Sequence, residues 1–474
     1  MRAHASAAPK RAVSSEPRVT VVVLAAGKGV RMNSRLPKVL HPVAGRPMLL
    51  WSMAAARALD PARTLVVVNP AQEGVQAVLN GEGQTVSQAK QLGTGHALAQ
   101  VTAAHRTASP VVVIYADAPL LRGETLAGLL AEHQRSRAAV TLLTGDLENP
   151  RGYGRIVRAR NGAVRDIVEE KDATDEQKNI HEVNSGVYVF SGRELWPALA
   201  KLEDKNRAGE YYLTDIVRLI KGKVHTLPVE DSDEILGIND RRQLAEAERV
   251  MRQRILDGLM SAGVTIADPA STFIDADVQI GRDTVVLPFS LISGESSIGE
   301  DCVIGPFAQI RDSIIGDACR IERAHVDQST LAQNVHVGPF SRLRPGSVLD
   351  DGVRVGTHAE IKNSHIGAGT AIAHFSAVLD SDVGANANIG AGTVTANFDG
   401  VEKHRTEIGD RAQVGSDTIL VAPVRVGEDA YTAAGSVITA DVPAGSLAVE
   451  RSEQQIVPGW TERRRGRRKR EDST

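Results

Sequence analysis

LAQNVHVGPFSRLRPGSVLDDGVRVGTHAEI, residues 331–361, carries an aliphatic side chain at every sixth position. A second unbroken run precedes it, and the two runs comprise Ile280, Val286, Ile292, Ile298, Ile304 and Ile310, then Leu331, Val337, Leu343, Leu349, Val355 and Ile361. A six-residue period fits neither an α-helix nor an alternating strand. It is typical of a parallel β-helix, in which each short strand contributes one inward aliphatic residue. The pattern predicts stacked triangular coils of three hexapeptides each; a chance run within a Gly-rich β-sandwich is the alternative.

One segment interrupts the repeat. NFDGVEKHR, residues 397–405, is too polar and too long to form one strand of a coil. Because loops ejected from a solenoid commonly carry its function, this segment is a candidate binding loop.

The first half of the chain has a different pattern. Short, β-branched apolar runs at residues 19–24, 65–68, 111–115 and 140–143 alternate with segments that suit crossover helices, such as 48–59 and 96–105. Strands buried on both faces of a parallel sheet have this composition. The alternation predicts a doubly wound α/β domain, whose ligands bind beyond the carboxyl ends of the strands.

These patterns divide the 474 residues. We expect an α/β domain over residues 18–240, a linker helix over 241–262 and a β-helix domain over 263–460. Residues 1–17 lack the apolar run of a signal peptide and are expected to be a disordered extension or the product of a misplaced start codon. Residues 461–474 are expected to be a disordered basic tail, with binding of nucleic acid or acidic lipid as the less favoured alternative.

Bulk composition favours a cytoplasmic location. The formal net charge of −3 provides no overall attraction to nucleic acid, and no apolar stretch is long enough to cross a membrane. Two cysteines, Cys302 and Cys319, cannot form a disulfide framework and have no zinc-ligand spacing. We therefore expect both to be small buried hydrophobic residues in a reducing compartment.

A Gly-rich loop follows the first predicted strand directly. LAAGKGVRM, residues 24–32, has small residues whose backbone N–H groups can approach phosphates, and Arg31 and Lys38 add positive charge. The loop lacks both the Walker ending and the dinucleotide-binding spacing, which disfavours a kinase or a dehydrogenase. By itself it could equally be a structural turn.

Further motifs follow in order: QAKQLGTGH at residues 88–96, GYGRI at 152–156 and VEEKDA at 168–173. Together with the loop and Lys38 they resemble the sugar-nucleotide pyrophosphorylases. With the β-helix behind them, the chain from residue 19 to 460 resembles one bacterial family, the bifunctional N-acetylglucosamine-1-phosphate uridyltransferases and glucosamine-1-phosphate acetyltransferases. The resemblance implies a left-handed β-helix and synthesis of UDP-N-acetylglucosamine, a cell-wall precursor.

The resemblance implies the following uridyl-transfer site. The uridine part of UTP would lie against Leu24, Ala25, Ala26, Gly27, Gln88, Gly93 and Thr94. The N-acetylglucosamine part would lie against Tyr115, Ala116, Gly154, Glu169 and Asn184. Asp117 and Asn239 would bind Mg²⁺, a hard cation that prefers oxygen ligands, while Arg31 and Lys38 would neutralise the phosphates. Ala116 stands where the family usually has Gly, and we expect activity to survive this change.

The resemblance also implies an acetyl-transfer site on the β-helix. His374 would be the general base, the side chain best matched to this task near neutral pH. The glucosamine-1-phosphate would contact Arg344, Lys362, Ala377, Asn388 and Lys403. Acetyl-CoA would contact Ala391, Asn397, Phe398, Ser416, Ala434 and Arg451.

Two departures from the family fall in this second site. Ala377 and Phe398 each replace a family tyrosine, and the first change removes a hydroxyl that would contribute about 0.5–1.5 kcal/mol to sugar binding.

The sequence leaves three alternatives. The favoured one is a bifunctional enzyme that transfers acetyl first and uridyl second, with acetyl-CoA and UTP as co-substrates. The second is a monofunctional pyrophosphorylase with a structural or regulatory β-helix, and the third is a regulatory subunit without activity. Assembly as a homotrimer through the β-helices is what the resemblance implies.

Overall fold

The computed structural model describes residues 19–471, so the predicted extension over residues 1–17 lies outside the described part. The chain divides into two compact units between Arg254 and Ile255. Within residues 19–471, no helix is long and apolar enough to cross a membrane.

The first unit is built on one mixed sheet. The strands of the first unit are β1 (Thr20–Leu24), β2 (Pro42–Val43), β3 (Arg46–Pro47), β4 (Arg63–Val68), β5 (Gln84–Ser87), β6 (Pro110–Tyr115), β7 (Val140–Asp146), β8 (Gly154–Arg158), β9 (Val164–Val168), β10 (Glu182–Ser191) and β11 (Val224–Pro228). Of these, β2 and β3 form a separate small hairpin, and the others form the sheet. The sheet order is β11-β7-β10-β6-β1-β4-β5, with β8 and β9 attached beside β10. The pairing is parallel except along β10 and between β8 and β9, where it is antiparallel.

Helices cover both faces of this sheet, which confirms the doubly wound fold. They are α1 (Met48–Arg57), α2 (Val75–Leu79), α3 (Thr94–Ala99), α4 (Gly123–Ser136), α5 (Asp175–Lys178), α6 (Gly192–Leu199) and α7 (Ile216–Leu219). One core cluster joins the sheet to α1 and α4, and another joins it to α3, α6 and α7. The predicted helix over residues 96–105 is wrong in extent, because α3 ends at Ala99 and a short 3-10 turn follows.

A long helix, α8 (Arg241–Ser261), follows the α/β domain close to where the pattern predicts a linker helix. The carboxylate of Asp240 accepts hydrogen bonds from the backbone N–H groups of Arg242 and Gln243, at 2.9 and 3.0 Å. This acceptor satisfies N–H groups that have no partner within the helix and fixes its first turn.

The second unit is a β-helix with three parallel sheets, as the six-residue period predicts. The first sheet contains Thr265–Ile266, Val285–Val286, Val303–Ile304, Arg320–Ile321, His336–Val337, Arg354–Thr357, Ala371–His374, Asn388–Ile389, Gln413–Val414, Tyr431–Thr432 and Leu447–Ala448. The second contains Phe273–Ile274, Leu291–Ser293, Gln309–Arg311, His325–Asp327, Arg342–Leu343, Glu360–Lys362, Ala377–Leu379, Val394–Ala396, Ile419–Val421 and Val437–Ile438. The third contains Gln279–Ile280, Ser297–Ile298, Ile314–Ile315, Thr330–Leu331, Val348–Leu349, His365–Ile366, Ser381–Val383, Thr406–Ile408 and Val424–Val426.

The aliphatic residue of nearly every strand points into the β-helix and is buried, so the core is a single column of Ile, Val and Leu. Cys302 and Cys319 are free thiols buried in this column. Burial of one aliphatic side chain stabilises the fold by roughly 1.5–3 kcal/mol. Because every strand contributes one such side chain, the six-residue period is kept strictly.

One corner of the β-helix exposes aromatic rings. We call the set Phe289, Phe307, Arg323, Phe340, His358 and Phe375, one residue per successive coil, the aromatic edge. The rings of Phe289 and Phe307 stack at 4.9 Å, and those of Phe340 and His358 at 5.0 Å. Six of the seven phenylalanines of the chain are exposed, and four of those six lie on this edge.

The basic segment near the end of the chain corrects an expectation. We expected residues 461–474 to be disordered, yet a helix, α9 (Trp460–Glu471), covers most of them. The physical reason is composition: Arg and Lys are among the better helix formers, and this segment contains no proline.

Candidate active sites

A cavity of about 370 Å³ opens at the carboxyl ends of β1 and β6. Leu24 and Tyr115, the last residues of these neighbouring parallel strands, lie opposite each other in register. The cavity is lined by Leu24, Ala25, Ala26, Gly27, Lys28, Lys38, Val39, Gln88, Gln91, Gly93, Thr94, Ala97, Tyr115, Asp117 and Glu210. All the residues predicted to contact uridine are therefore on its wall.

Glutamine side chains hold the Gly-rich loop and the segment 88–96 in place around this cavity. The amide of Gln91 donates to the carbonyl of Ala26, and that of Gln88 donates to the carbonyl of Gly93 at 3.2 Å. Gln88 also contacts His96 Nδ1 at 2.9 Å. These contacts fix a wall of small residues on one side of the cavity. Because these residues have little side-chain bulk, a planar base can lie against the wall.

The side chain of Lys38 contacts both predicted metal ligands, Asp117 and Asn239. Lys38 is buried, and its ammonium group forms an ion pair with Asp117 Oδ2 and donates to Asn239 Oδ1 at 3.2 Å. The backbone N–H of Ile238 donates to the carbonyl of Asp117 at 2.9 Å, which brings the segment before α8 beside the end of β6.

Gly29 allows Lys38 to reach this position. Its backbone lies in the left-handed region (φ = 61°), and a Cβ atom there would lie 2.5 Å from Lys38 Cβ. The sequence motif therefore has a steric reason at this position, because only glycine leaves room for the lysine.

The residues predicted for the sugar lie deeper along the same edge of the sheet. Glu169 Oε1 accepts a hydrogen bond from the Thr214 hydroxyl at 3.0 Å, and a Cβ at Gly154 would lie 3.6 Å from the Glu169 carboxylate. Asn184 donates to the Tyr188 hydroxyl at 2.7 Å. Burial raises the pKa of Glu169, the Thr214 hydrogen bond opposes that rise, and nearby Asp215 adds to it. Burial likewise raises the pKa of Tyr115 far above its ordinary value.

Other placements in the first unit refine the prediction. Arg31 is exposed and does not line the cavity, whereas Ala116 is fully buried behind it. Sequence reasoning missed Lys28, Gln91 and Glu210. Lys28 and Gln91 stand inside motifs already quoted, so position within those motifs was the available signal; Glu210 stands in none of them.

A second polar cluster lies on the β-helix. Arg344 pairs with Glu360 at 2.8 Å, and Lys362 lies close enough to Lys403 to form a hydrogen bond that lowers the pKa of the Lys362 ammonium. Arg344 lowers it further through its charge. Three predicted phosphate-binding cations therefore converge where a dianion would relieve their mutual repulsion.

Asp380, which sequence reasoning missed, holds this cluster together. Burial alone would raise its pKa, but hydrogen bonds from Asn363 and Asn397, with the charges of Lys362 and Lys403, lower it overall. Asn363 Nδ2 lies 2.5 Å from Asp380 Oδ1, and Asn397 donates to the other oxygen. The carboxylate thereby anchors the start of the ejected loop.

The ejected loop is shaped by Asp399. Its Oδ1 accepts hydrogen bonds from the backbone N–H groups of Val401 and Glu402, at 2.8 and 2.7 Å, and its Oδ2 contacts His404 Nε2 at 2.8 Å. These bonds lower the pKa of Asp399 well below its ordinary value. Phe398, on the same loop, is exposed.

His374 lies beside the aromatic edge, one residue before Phe375. It pairs with Thr357 on the preceding coil, and Ala391, Ser416 and Ala434 follow at equivalent corners of later coils. Arg451 donates to the carbonyl of Ala434 at 3.0 Å and extends this line. Within residues 19–471, no group hydrogen-bonds the imidazole of His374, and its ring is exposed.

Two predicted sugar contacts lie on strands of different sheets, Ala377 in the second and Asn388 in the first. Ala377 lies between Glu360 and Val394 in register, and Asn388 is exposed at the start of its strand. The small Ala377 side chain carries no hydroxyl toward the cation cluster.

Comparison with known proteins accounts for both sites. Residues 21–219 match the MobA-like NTP transferase domain, residues 277–312 match the bacterial transferase hexapeptide and residues 305–386 match the GlmU-like C-terminal hexapeptide. The chain is 47% identical to the bifunctional protein GlmU of Syntrophomonas wolfei, over 93% of this chain and 99% of that protein. It is 47% identical to that of Pelobacter propionicus, over 93% and 98%, and to that of Streptomyces griseus, over 96% of both.

The chain belongs to the GlmU family. It is a bifunctional enzyme, with UDP-N-acetylglucosamine pyrophosphorylase and glucosamine-1-phosphate acetyltransferase activities, and its β-helix is left-handed as in the hexapeptide transferases. Membership of GlmU explains why one chain carries two polar clusters on two folds. It supports the bifunctional alternative over the monofunctional and regulatory ones.

Proposed function

We propose that this chain acetylates glucosamine-1-phosphate on the β-helix and then transfers uridyl from UTP to the product in the α/β domain. The observation that carries the proposal is the cavity at the ends of β1 and β6, whose wall collects the whole predicted uridine set with Lys38 and Asp117. Acetylation precedes uridyl transfer because the second reaction takes the acetylated sugar phosphate as its nucleophile.

In the uridyl step, a phosphate oxygen of N-acetylglucosamine-1-phosphate attacks the α-phosphorus of UTP, and the bond to pyrophosphate breaks. Lys38 and Arg31 would place their charge against the phosphates. Glu169, Asn184, Gly154 and Tyr115 would orient the sugar.

The residues present fit a magnesium ion. The Lys38 ammonium already links a carboxylate oxygen and an amide oxygen, the hard donors that Mg²⁺ prefers. Residues 19–471 contain no cluster of three or more His, Cys, Asp or Glu, so phosphate oxygens would complete the shell. Asp117 and Asn239 would hold the ion, which when bound would neutralise charge developing on the phosphates.

In the acetyl step, the amine of glucosamine-1-phosphate attacks the thioester carbonyl of acetyl-CoA, and the C–S bond breaks to release CoA. His374 would take the proton of the attacking amine. Arg344, Lys362 and Lys403 would bind the phosphate, with Asn388 and Ala377 beside the sugar. Acetyl-CoA would lie along the corner of the β-helix, in contact with Ala391, Asn397, Phe398, Ser416, Ala434 and Arg451.

We also propose that three copies pack through the aromatic edge. Exposed rings stacked on one corner form the kind of apolar strip that proteins bury in interfaces. A neighbouring copy there would lie beside the unpartnered His374 and complete the acetyl-transfer site. The two free buried cysteines suit a cytoplasmic enzyme.

Two assays on the purified chain test the assignment of the sites. His374→Ala should abolish release of CoA thiol and leave pyrophosphate release intact, whereas Asp117→Ala should do the reverse. Loss of both activities in either folded variant would contradict two independent sites.

Light scattering tests the assembly. The wild-type chain should have the mass of a trimer, and Phe307→Ser with Phe340→Ser should dissociate it and reduce thiol release. Ile314→Ser, which changes an exposed apolar residue on a strand of the third sheet and not at the aromatic edge, is the matched control. A double variant that stays trimeric would contradict the proposed interface.

A further inference from the structure

The helix α9 has a high net positive charge, whereas the rest of the chain has a net negative charge. Seven of the eight residues from 463 to 470 are Arg or Lys, whereas the formal net charge of the whole chain is −3. The remainder of the protein is therefore more acidic than the total suggests. Arg463, Arg464 and Arg465 are exposed, and neither active site includes any residue of this run.

The sequence leaves no side of a regular helix free of basic residues. At 3.6 residues per turn, seven basic residues among eight consecutive positions are more than one side of a helix can hold. A flat partner could contact only one side of such a helix. An anionic membrane is disfavoured for a second reason, because surface-bound helices need an apolar face and the only large apolar residue of α9 is Trp460 at its start.

A groove lined by phosphates on both sides matches this distribution. The helix has 12 residues, which corresponds to about 18 Å, and the major groove of B-DNA is about 12 Å wide and admits an α-helix. The major groove of A-form RNA is too narrow for such a helix. Single strands require aromatic stacking platforms, but the guanidinium of Arg464 lies over the Trp460 ring at 5.0 Å.

We propose that α9 is a binding site for double-stranded DNA and that it contacts phosphates without reading sequence. Arginine suits this task because its planar donors bind phosphate oxygens in pairs. Like charges three and four residues apart weaken the isolated helix. Phosphates relieve this repulsion, so the helix gains stability when the duplex binds.

The test uses the full chain and a fluorescein-labelled 20-base-pair duplex, followed by anisotropy. We expect binding whose affinity falls about 4 × 10³-fold between 50 and 200 mM salt, with a slope of log K against log salt near −6, since up to seven phosphates are neutralised. Two duplexes of unrelated sequence should bind equally.

Two variants separate charge from other effects. Replacing all seven basic residues by Gln should weaken binding at least 100-fold, whereas replacing the six arginines by Lys should weaken it much less. Both should release pyrophosphate at the wild-type rate, which shows that the protein is folded.

Three outcomes would overturn the proposal. They are no difference between the Gln variant and the wild type, binding of single strands or RNA duplex as tight as that of DNA duplex, and binding to phosphatidylserine-containing vesicles without binding to DNA.

Discussion

Lys38 depends on Gly29 for its position. Because a Cβ at residue 29 would lie 2.5 Å from Lys38 Cβ, Gly29→Ala should displace the lysine from Asp117 and Asn239. The left-handed backbone adds about 1–2 kcal/mol of strain. We expect pyrophosphate release to fall at least tenfold with thiol release unchanged, measured by steady-state assays. Wild-type pyrophosphate release in Gly29→Ala would contradict this steric role.

The pKa of Glu169 makes sugar binding sensitive to acid. Burial raises this pKa and the Thr214 hydrogen bond holds it down, so the carboxylate becomes protonated at a higher pH than an ordinary glutamate. Protonation removes an acceptor for the sugar, and KM for N-acetylglucosamine-1-phosphate should rise as pH falls. Thr214→Val removes the opposing hydrogen bond and should move this rise to higher pH, while Thr214→Ser should not. A Val profile identical to the wild type would contradict this origin of the shift.

The sequence motifs predicted the placement of residues that are close to one another both in sequence and in space. The wall of the nucleotide cavity is of this kind, since it follows the ends of two strands. Asp380 and Asp399 were missed because their roles arise from contacts around the ejected loop, which no spacing rule describes. The roles of all these residues stay predictions.

At the scale of elements, Gly356 sets the distance between the strand Arg354–Thr357 and the strand that carries His374. A Cβ there would lie 1.8 Å from the carbonyl oxygen of Ala373. Gly356→Ala should therefore push the two strands apart and lower thiol release at least tenfold, with pyrophosphate release unchanged. Gly338→Ala is the matched control, because its Cβ would meet only the Val355 oxygen at 3.8 Å. Equal activity of the two variants would contradict the account.

The elements themselves were largely predictable. The six-residue period identified the strands of the β-helix because one inward side chain per strand is a direct consequence of the coil. The antiparallel β10 was not predicted, since a strand buried on both faces has the same composition in either direction. The helical state of residues 460–471 was also missed, because a dense charge block is more often disordered.

At the scale of the whole molecule, each unit has its own core. Ile372 is fully buried in the column of the β-helix, and Ile→Ala substitutions at such sites cost about 2–5 kcal/mol. Ile372→Ala should lower the urea midpoint for loss of thiol release and leave that for pyrophosphate release unchanged. A parallel shift of both midpoints would show that the two units unfold as one.

The pairing of the β-helix has a consequence for how it forms. Most neighbouring strands are separated by only 16 to 18 residues, as for Arg320 with His336 and Val285 with Val303, whereas Leu24 and Tyr115 of the α/β sheet are about ninety residues apart. Each coil can therefore close on its predecessor at a small entropic cost, and the ejected loop lengthens only the three closures that span it, to 25 residues each. The all-parallel half of the chain should grow coil by coil, while the α/β half must wait for its distant strands to meet.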